Sequence, residues 1–158
     1  MSKGKPKYYW DSTLFLALLK DEKRKAGEME GLAEIVWMAD HEQATIVTSV
    51  TTKGEVLQST LPPNARHAFD QVFRRPSVVM VDLTERIADL VGEIRDFYRQ
   101  QGKRLEVADA QHLATAIACQ VHELHTFDED DLIPLSGNIA GRKLIVCKPK
   151  GAQGILFP

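Results

Sequence analysis

Cysteine is almost missing from this chain: there are two in 158 residues, Cys119 and Cys147, far apart and without metal-ligand spacing. That excludes a disulfide framework and leads us to expect a reducing compartment. Long apolar runs are missing too. No stretch approaches the roughly 20 residues needed to cross a bilayer, and the opening M-S-K-G-K-P-K is basic but lacks the apolar centre of a signal peptide. The expected location is therefore the cytoplasm, with no membrane association. Charge of one sign is also scarce. With 20 Lys and Arg against 22 Asp and Glu, the net charge is −2, which excludes a nucleic-acid coat protein that is basic throughout and leaves room for a local basic patch. What is present is ordinary for a globular chain, 44% hydrophobic and 27% charged. The length suits one domain with a core of its own.

Short β-branched or aromatic runs alternate with longer helical ones. Lys7 to Trp10 reads as a strand ending at Asp11, followed by a helix through L-F-L-A-L-L-K. Glu28 to Asp40 carries apolar residues at helical spacing. Ala44 to Thr48 is a second strand, and Ser49 stands where a cap for the next helix belongs. A helix from Ala65 to Phe73 leads to a third strand, Val78 to Asp82. Thr84 caps a long helix with Ile87, Leu90, Val91, Ile94 and Phe97 on one face, and Gly102 ends it. Val107 to Val121 is an alanine-rich helix, Leu124 to Phe127 a fourth strand and Lys143 to Cys147 a fifth. Alternation of this kind implies an α/β fold, a mainly parallel sheet covered by helices on both faces. We expect a single domain over residues 1–158, with a basic arm at 1–6 and a tail at 148–158 whose I-L-F-P end is apolar enough to dock.

Ligands in such sheets sit beyond the carboxyl ends of the strands. Four acids are placed to reach that rim: Asp11 after strand one, Glu55 on the helix after strand two, Asp109 at the start of the alanine-rich helix, and Asp128 after strand four. Carboxylates gathered there raise one another's pKa. Hard divalent cations such as Mg²⁺ or Mn²⁺ remove that penalty, because they favour oxygen ligands. Each acid also has a plain structural use. Asp11 and Asp109 can cap helices, Glu55 can be solvated, and the run Asp128-Glu129-Asp130-Asp131 can form an Asx-turn loop.

The local wording goes further. Y-Y-W-D-S-T-L-F-L at 8–16, T-T-K-G-E-V-L around Glu55, A-D-A-Q-H-L-A-T-A-I-A at 108–118 and H-T-F-D-E-D-D-L at 125–132 resemble, in order, the four acidic motifs of PIN domains. The resemblance spans residues 7 to about 147. It implies a three-layer fold with about five strands and the activity of a Mg²⁺- or Mn²⁺-dependent endoribonuclease, in many small relatives the toxin of a toxin–antitoxin pair. It places Asp11, Glu55, Asp109 and Asp128 at the metal site as ligands and catalytic groups. Ser12 and Thr126 become supporting hydroxyls and Asp131 a peripheral acid, while Glu129 and Asp130 stay solvated. The implied partners are an RNA substrate, an antitoxin protein and a second copy joined through the early helices. The long segment 59–77 and the tail depart from the small-toxin pattern.

Lys53, Arg74, Arg75, Lys103 and Arg104 are candidate contacts for an RNA backbone. His112, three residues after Asp109, suits a hydrogen bond better than ligation; His122 and His125 read as structural. Two other readings stand beside the nuclease. One is a phosphoacceptor receiver domain, with Asp82 phosphorylated, Asp11 holding Mg²⁺, and Thr126 and Lys148 completing the set. The other is a PIN-like fold that binds nucleic acid or protein without catalysis.

Overall fold

The structure, a computed structural model, describes residues 4–150. Five strands, β1 (Lys7–Trp10), β2 (Thr45–Ser49), β3 (Val78–Val81), β4 (Glu123–His125) and β5 (Ile145–Cys147), pair in the order β3-β2-β1-β4-β5, and every pairing is parallel. Between them run α1 (Ser12–Leu19), α2 (Glu28–Asp40), α3 (Val50–Gln58), α4 (Ala65–Val72), α5 (Glu85–Gln100) and α6 (Val107–Ala118), with a 3-10 turn at Ile133–Leu135 before β5. Alternation along β1 decides which side chain enters which layer. Tyr9 packs with α5 and α6 through Ile87, Val91, Ile94, Leu113 and Ala114. Its neighbour Trp10 packs the other way, with Leu14, Phe15, Leu32, Ile35, Val56 and Phe69. Both faces are thus covered, as a parallel sheet requires.

Several boundaries differ from the sequence expectation, each for a local reason. The fourth strand stops at His125 rather than Phe127, because the Thr126 hydroxyl turns to Asp11 and to the Asp128 N–H. The fifth begins at Ile145 rather than Lys143; the Leu144 carbonyl accepts instead from Gly137 N–H, in the preceding turn. Helix α6 ends at Ala118, three residues short of Val121, and Gln120 turns the chain at φ 52°. Ser49 starts α3 without capping it, since its hydroxyl bonds Tyr9 instead. On α5 the buried stripe is Ile87, Val91, Ile94 and Tyr98, whereas Phe97 is 38% exposed. Thr84 caps that helix as expected, accepting from Ile87 N–H.

The tail's first residues cross α2. A Cβ on Gly31 would lie 2.1 Å from the Pro149 carbonyl oxygen, so only glycine allows this approach. The expected docking of I-L-F-P, and the first three residues of the basic arm, lie outside the described residues. Among the described residues no helix is long and apolar enough to cross a membrane.

Candidate active site

The centre of the site is the end of β1. The Trp10 carbonyl, last in that strand, accepts from the Thr48 hydroxyl at 2.8 Å and from Thr52 at 3.4 Å. Asp11 follows as the N-cap of α1 and is only 2% exposed. Its Oδ1 accepts from the Thr13 N–H at 3.0 Å and the Thr13 hydroxyl at 2.5 Å, and its Oδ2 accepts from Thr126 at 2.5 Å. Burial pushes this carboxyl up from its ordinary value, while the charge of His112 and the two threonine hydroxyls pull it back. The capping use weighed for Asp11 is therefore realised, with its other oxygen turned to Thr126. Thr13 also accepts from the Phe127 N–H at 2.9 Å, which fastens the loop after β4 to the start of α1.

Glu55 comes from the middle of α3 and is held by α6. His112 Nε2 lies 2.5 Å from Glu55 Oε1; a carboxylate only accepts, so the histidine donates. The other ring nitrogen lies 2.7 Å from the Tyr9 hydroxyl, which also meets Ser49 at 2.7 Å. This chain runs from β2 through β1 to α6 and α3, and His112 is 2% exposed within it. Burial pushes Glu55 up, but the hydrogen bond and charge of His112, helped by the Ser12 hydroxyl, outweigh it and hold the carboxyl below its ordinary value. A further bond, Thr51 hydroxyl to Gln111 Oε1 at 2.9 Å, ties α3 to α6.

The third group behaves differently. Asp109, in the first turn of α6 whose cap is Glu106, offers a carboxylate oxygen within 4.8 Å of oxygens from Asp128 and Asp131. Asp128 Oδ1 accepts from the N–H groups of Asp130 and Asp131 at 3.1 and 2.9 Å, so the loop is an Asx-turn that also presents its acids. Burial, then the negative charges of Asp128, Asp131 and Glu55, push Asp109 up to about 6 against the opposing charge of His112. Asp131, expected at the periphery, lies inside this cluster.

The acid loop is also clamped from outside. Glu129 receives Lys25 at 3.0 Å and pairs closely with Lys148, which reaches Glu28 at 3.0 Å. Its carboxyl is held far below the ordinary range by these lysines. Glu129 stays solvated, as expected, and its ion pairs add an exposed anchor for the loop.

The candidate cations scatter. Lys103 and Arg104 lie in the loop entering α6. Lys53 sits on α3, two residues before Glu55. Arg74 and Arg75 precede β3 at the opposite edge of the sheet, and Arg75 is paired with Asp40 at 2.8 Å. The receiver constellation does not assemble. Asp82 follows β3 at the sheet's edge, with β2 between it and β1, so it stands about 10 Å, two strand spacings, from Asp11. Lys148 is occupied by Glu28 and Glu129. His122 and His125 accept from the Lys7 N–H and the Trp10 indole N–H, and His125 also lies with Glu123 and Cys147 in a second cluster of potential metal ligands.

The PIN domain profile matches residues 8–133. The chain belongs to the PIN domain family. All four of its acidic motifs fall inside the matched span, and the three-layer parallel sheet is the fold of its solved relatives. A VapBC2 structure from Rickettsia felis, bound to a DNA fragment from its promoter, superposes at a TM-score of 0.65 and 18% identity, covering 89% of this chain and 98% of that one. A DNA-bound VapBC from Salmonella typhimurium gives 0.64 at 15% identity, covering 89% and 98%. VapC20 of Mycobacterium tuberculosis, described as a toxin that cleaves the sarcin-ricin loop, gives 0.56 at 17% identity over 78% and 91%. No curated protein sequence matches.

Within this PIN domain, reading by sequence missed Tyr9, Thr13 and the full use of His112. Tyr9 and Thr13 flank Asp11 by two residues on either side, and that spacing is the signal they carry. What hid them is that a tyrosine on a strand and a threonine in a helix's first turn have ordinary packing uses.

Proposed function

We propose that this PIN-domain protein is a divalent-metal-dependent endoribonuclease that hydrolyses RNA phosphodiester bonds. The observation that carries the reading is the cluster of Asp109, Asp128 and Asp131, whose oxygens lie within 4.8 Å of one another while Asp109 is pushed up to about 6. Three close carboxylates form a hard-oxygen donor set, which fits Mg²⁺ or Mn²⁺ and not a soft-ligand metal. A bound ion would supply Lewis acidity for phosphodiester hydrolysis. The chain's own groups do the rest. Asp109, Asp128 and Asp131 would hold the ion, and Asp11, whose Oδ2 keeps capacity for one more partner, would be a further candidate ligand. Glu55 is fixed by His112 and sets the negative field on the α3 side. Thr126 and Thr13 lock Asp11 to the Asp128 loop, and Ser12 supports Glu55.

The toxin relatives support a role as the toxin of a toxin–antitoxin pair, acting in the cytoplasm as one domain, with an antitoxin protein and a second copy of the chain as partners. Incubation of the full chain with single-stranded RNA and Mn²⁺ tests the reading. Endonucleolytic cleavage should appear, stop with EDTA, and vanish in Asp109→Asn. A well-folded wild-type chain that binds RNA and never cuts it would leave a non-catalytic binding module in its place.

A further inference from the structure

The loop that delivers the chain from α5 into α6 is basic on one side. Arg95, Arg99, Lys103 and Arg104, with Gly102 and Leu105, line a concave pocket of about 520 Å³. Gly102, at φ +75°, turns the chain out of α5. Arg95 Nε then donates to the Leu105 carbonyl at 3.0 Å, tying the helix to the loop ten residues on. The Lys103 ammonium stands 6.0 Å from the ring centre of the buried Tyr98.

The positive charge in this pocket is poorly compensated. Arg99 pairs with Asp96 at 2.8 Å and Arg104 with Glu106 at 3.7 Å, but all four side chains are more than 60% exposed. Ion pairs so exposed hold weakly and yield to a better anion. Arg95 and Lys103 have no carboxylate partner among the described residues. Complementing the helix dipole accounts for Arg99 alone, the basic residue in the last turn of α5. The position matters as much as the charge. Leu105 lines the pocket, Glu106 caps α6, and Asp109 follows within its first turn, a rise of roughly 4.5 Å from the cap.

We propose that this pocket binds the sugar–phosphate backbone of single-stranded RNA beside the bond to be cut, a proposal that rests on the nuclease reading. Guanidinium groups grip phosphate oxygens two at a time, and the lysine adds a point charge. Among the described residues no aromatic ring lines the pocket, so it recognises backbone and not bases. Recognition at this subsite is therefore independent of sequence.

Binding of short fluorescein-labelled single-stranded RNAs to the full chain in EDTA tests the pocket apart from catalysis. The Arg99→Ala/Lys103→Ala/Arg104→Ala variant leaves Arg95 and its loop tie in place. It should bind about tenfold more weakly to every sequence, with a salt dependence shallower by roughly 0.7 for each phosphate it no longer grips. With Mn²⁺ present, KM should rise by a larger factor than kcat falls. Arg99→Lys/Lys103→Arg/Arg104→Lys should retain most of the affinity; if it binds as poorly as the alanine variant, loop integrity and not charge is responsible and the proposal is overturned. Unchanged affinity and salt dependence in the alanine variant also overturn it, including the case where the pocket takes inorganic phosphate or an acidic peptide instead. A wild-type chain that binds RNA through these residues yet never cleaves it sinks the nuclease reading and leaves the subsite standing, whereas cleavage with an indifferent pocket does the reverse.

Discussion

Two groups of carboxylates share the carboxyl rim of the sheet, and they are treated in opposite ways. Asp11 and Glu55 are held by side-chain donors: Thr13 and Thr126 for one, His112 for the other. Asp109, Asp128 and Asp131 face one another, and the donors at this cluster are the backbone N–H groups that fix Asp128 in its turn. The first group keeps its geometry through these donors, with oxygens still free to accept. The second is repulsive as it stands, and its repulsion is relieved by a cation or a proton. The contrast teaches that nearness to the rim does not define a ligand; what defines it is the balance between acceptors and the donors already supplied.

The largest expected effect comes from breaking the second group. Asp109→Asn should lower the RNA cleavage rate by roughly 10³-fold or more, because it removes a donor to the ion and its charge together. The same change should slightly raise the melting temperature of the metal-free protein, since one member of a repelling trio is gone. Asp128→Asn should cost nearly as much activity, and Asp131→Asn about tenfold less. Equal, small effects at all three would dissolve the distinction between the groups.

Breaking the first group should show in stability before activity. Thr126→Val removes a donor from a buried carboxylate and the acceptor of the Asp128 N–H, and should cost about 2 kcal/mol. That corresponds to roughly 4–8 °C in melting temperature for a chain of this size, read by calorimetry. Tyr9→Phe removes two hydrogen bonds from the Ser49–Tyr9–His112–Glu55 chain, leaving buried His112 without one partner, and should cost about 2 kcal/mol. Its activity should fall only modestly, since Glu55 keeps His112.

The smallest effect, and the one that separates the groups by sign, is pH. Asp109 rises from 3.8 to about 6 on folding, so the folded state holds that proton more tightly than the unfolded one. The stabilisation is full below the ordinary value and is lost as pH rises through about 6. Half-exposed as it is, Asp109 should contribute on the order of 1 kcal/mol after allowance for solvent screening. Glu55 runs the other way: its depressed carboxyl stabilises above the ordinary value, and that stability is lost as pH falls through its lowered value. Melting curves of metal-free wild type and Asp109→Asn between pH 4 and 7 should converge at the acid end. Parallel curves would show that Asp109 is not perturbed.

Much of this was legible in the sequence because it is written in short-range patterns. Period-2 and period-3.6 apolar spacing located five strands and the helices to within a few residues, and acids after strands one and four announced the rim. The allocation of roles was not legible. Whether Asp11 or Asp131 stands nearer a cation depends on where Thr13, Thr126 and His112 point, and those contacts join residues up to 115 apart in the chain. Phe97 and Tyr98 exchanged roles on α5 for a similar reason, because adjacent aromatic residues fit one helical stripe almost equally well and the partner across the core decides. The ion pairs of solvated Glu129 were hidden because its lysines, Lys25 and Lys148, come from distant turns.

The central claim is that Asp109, Asp128 and Asp131 together hold a divalent ion. Calorimetric melting of the full chain against Mn²⁺ concentration tests it most directly, with Asp109→Asn/Asp128→Asn as the comparison. At about 100 times its dissociation constant, Mn²⁺ should raise the wild-type transition by roughly 5–10 °C and leave the double variant unmoved. A wild-type transition indifferent to Mn²⁺, or an equal rise in the double variant, would contradict the account.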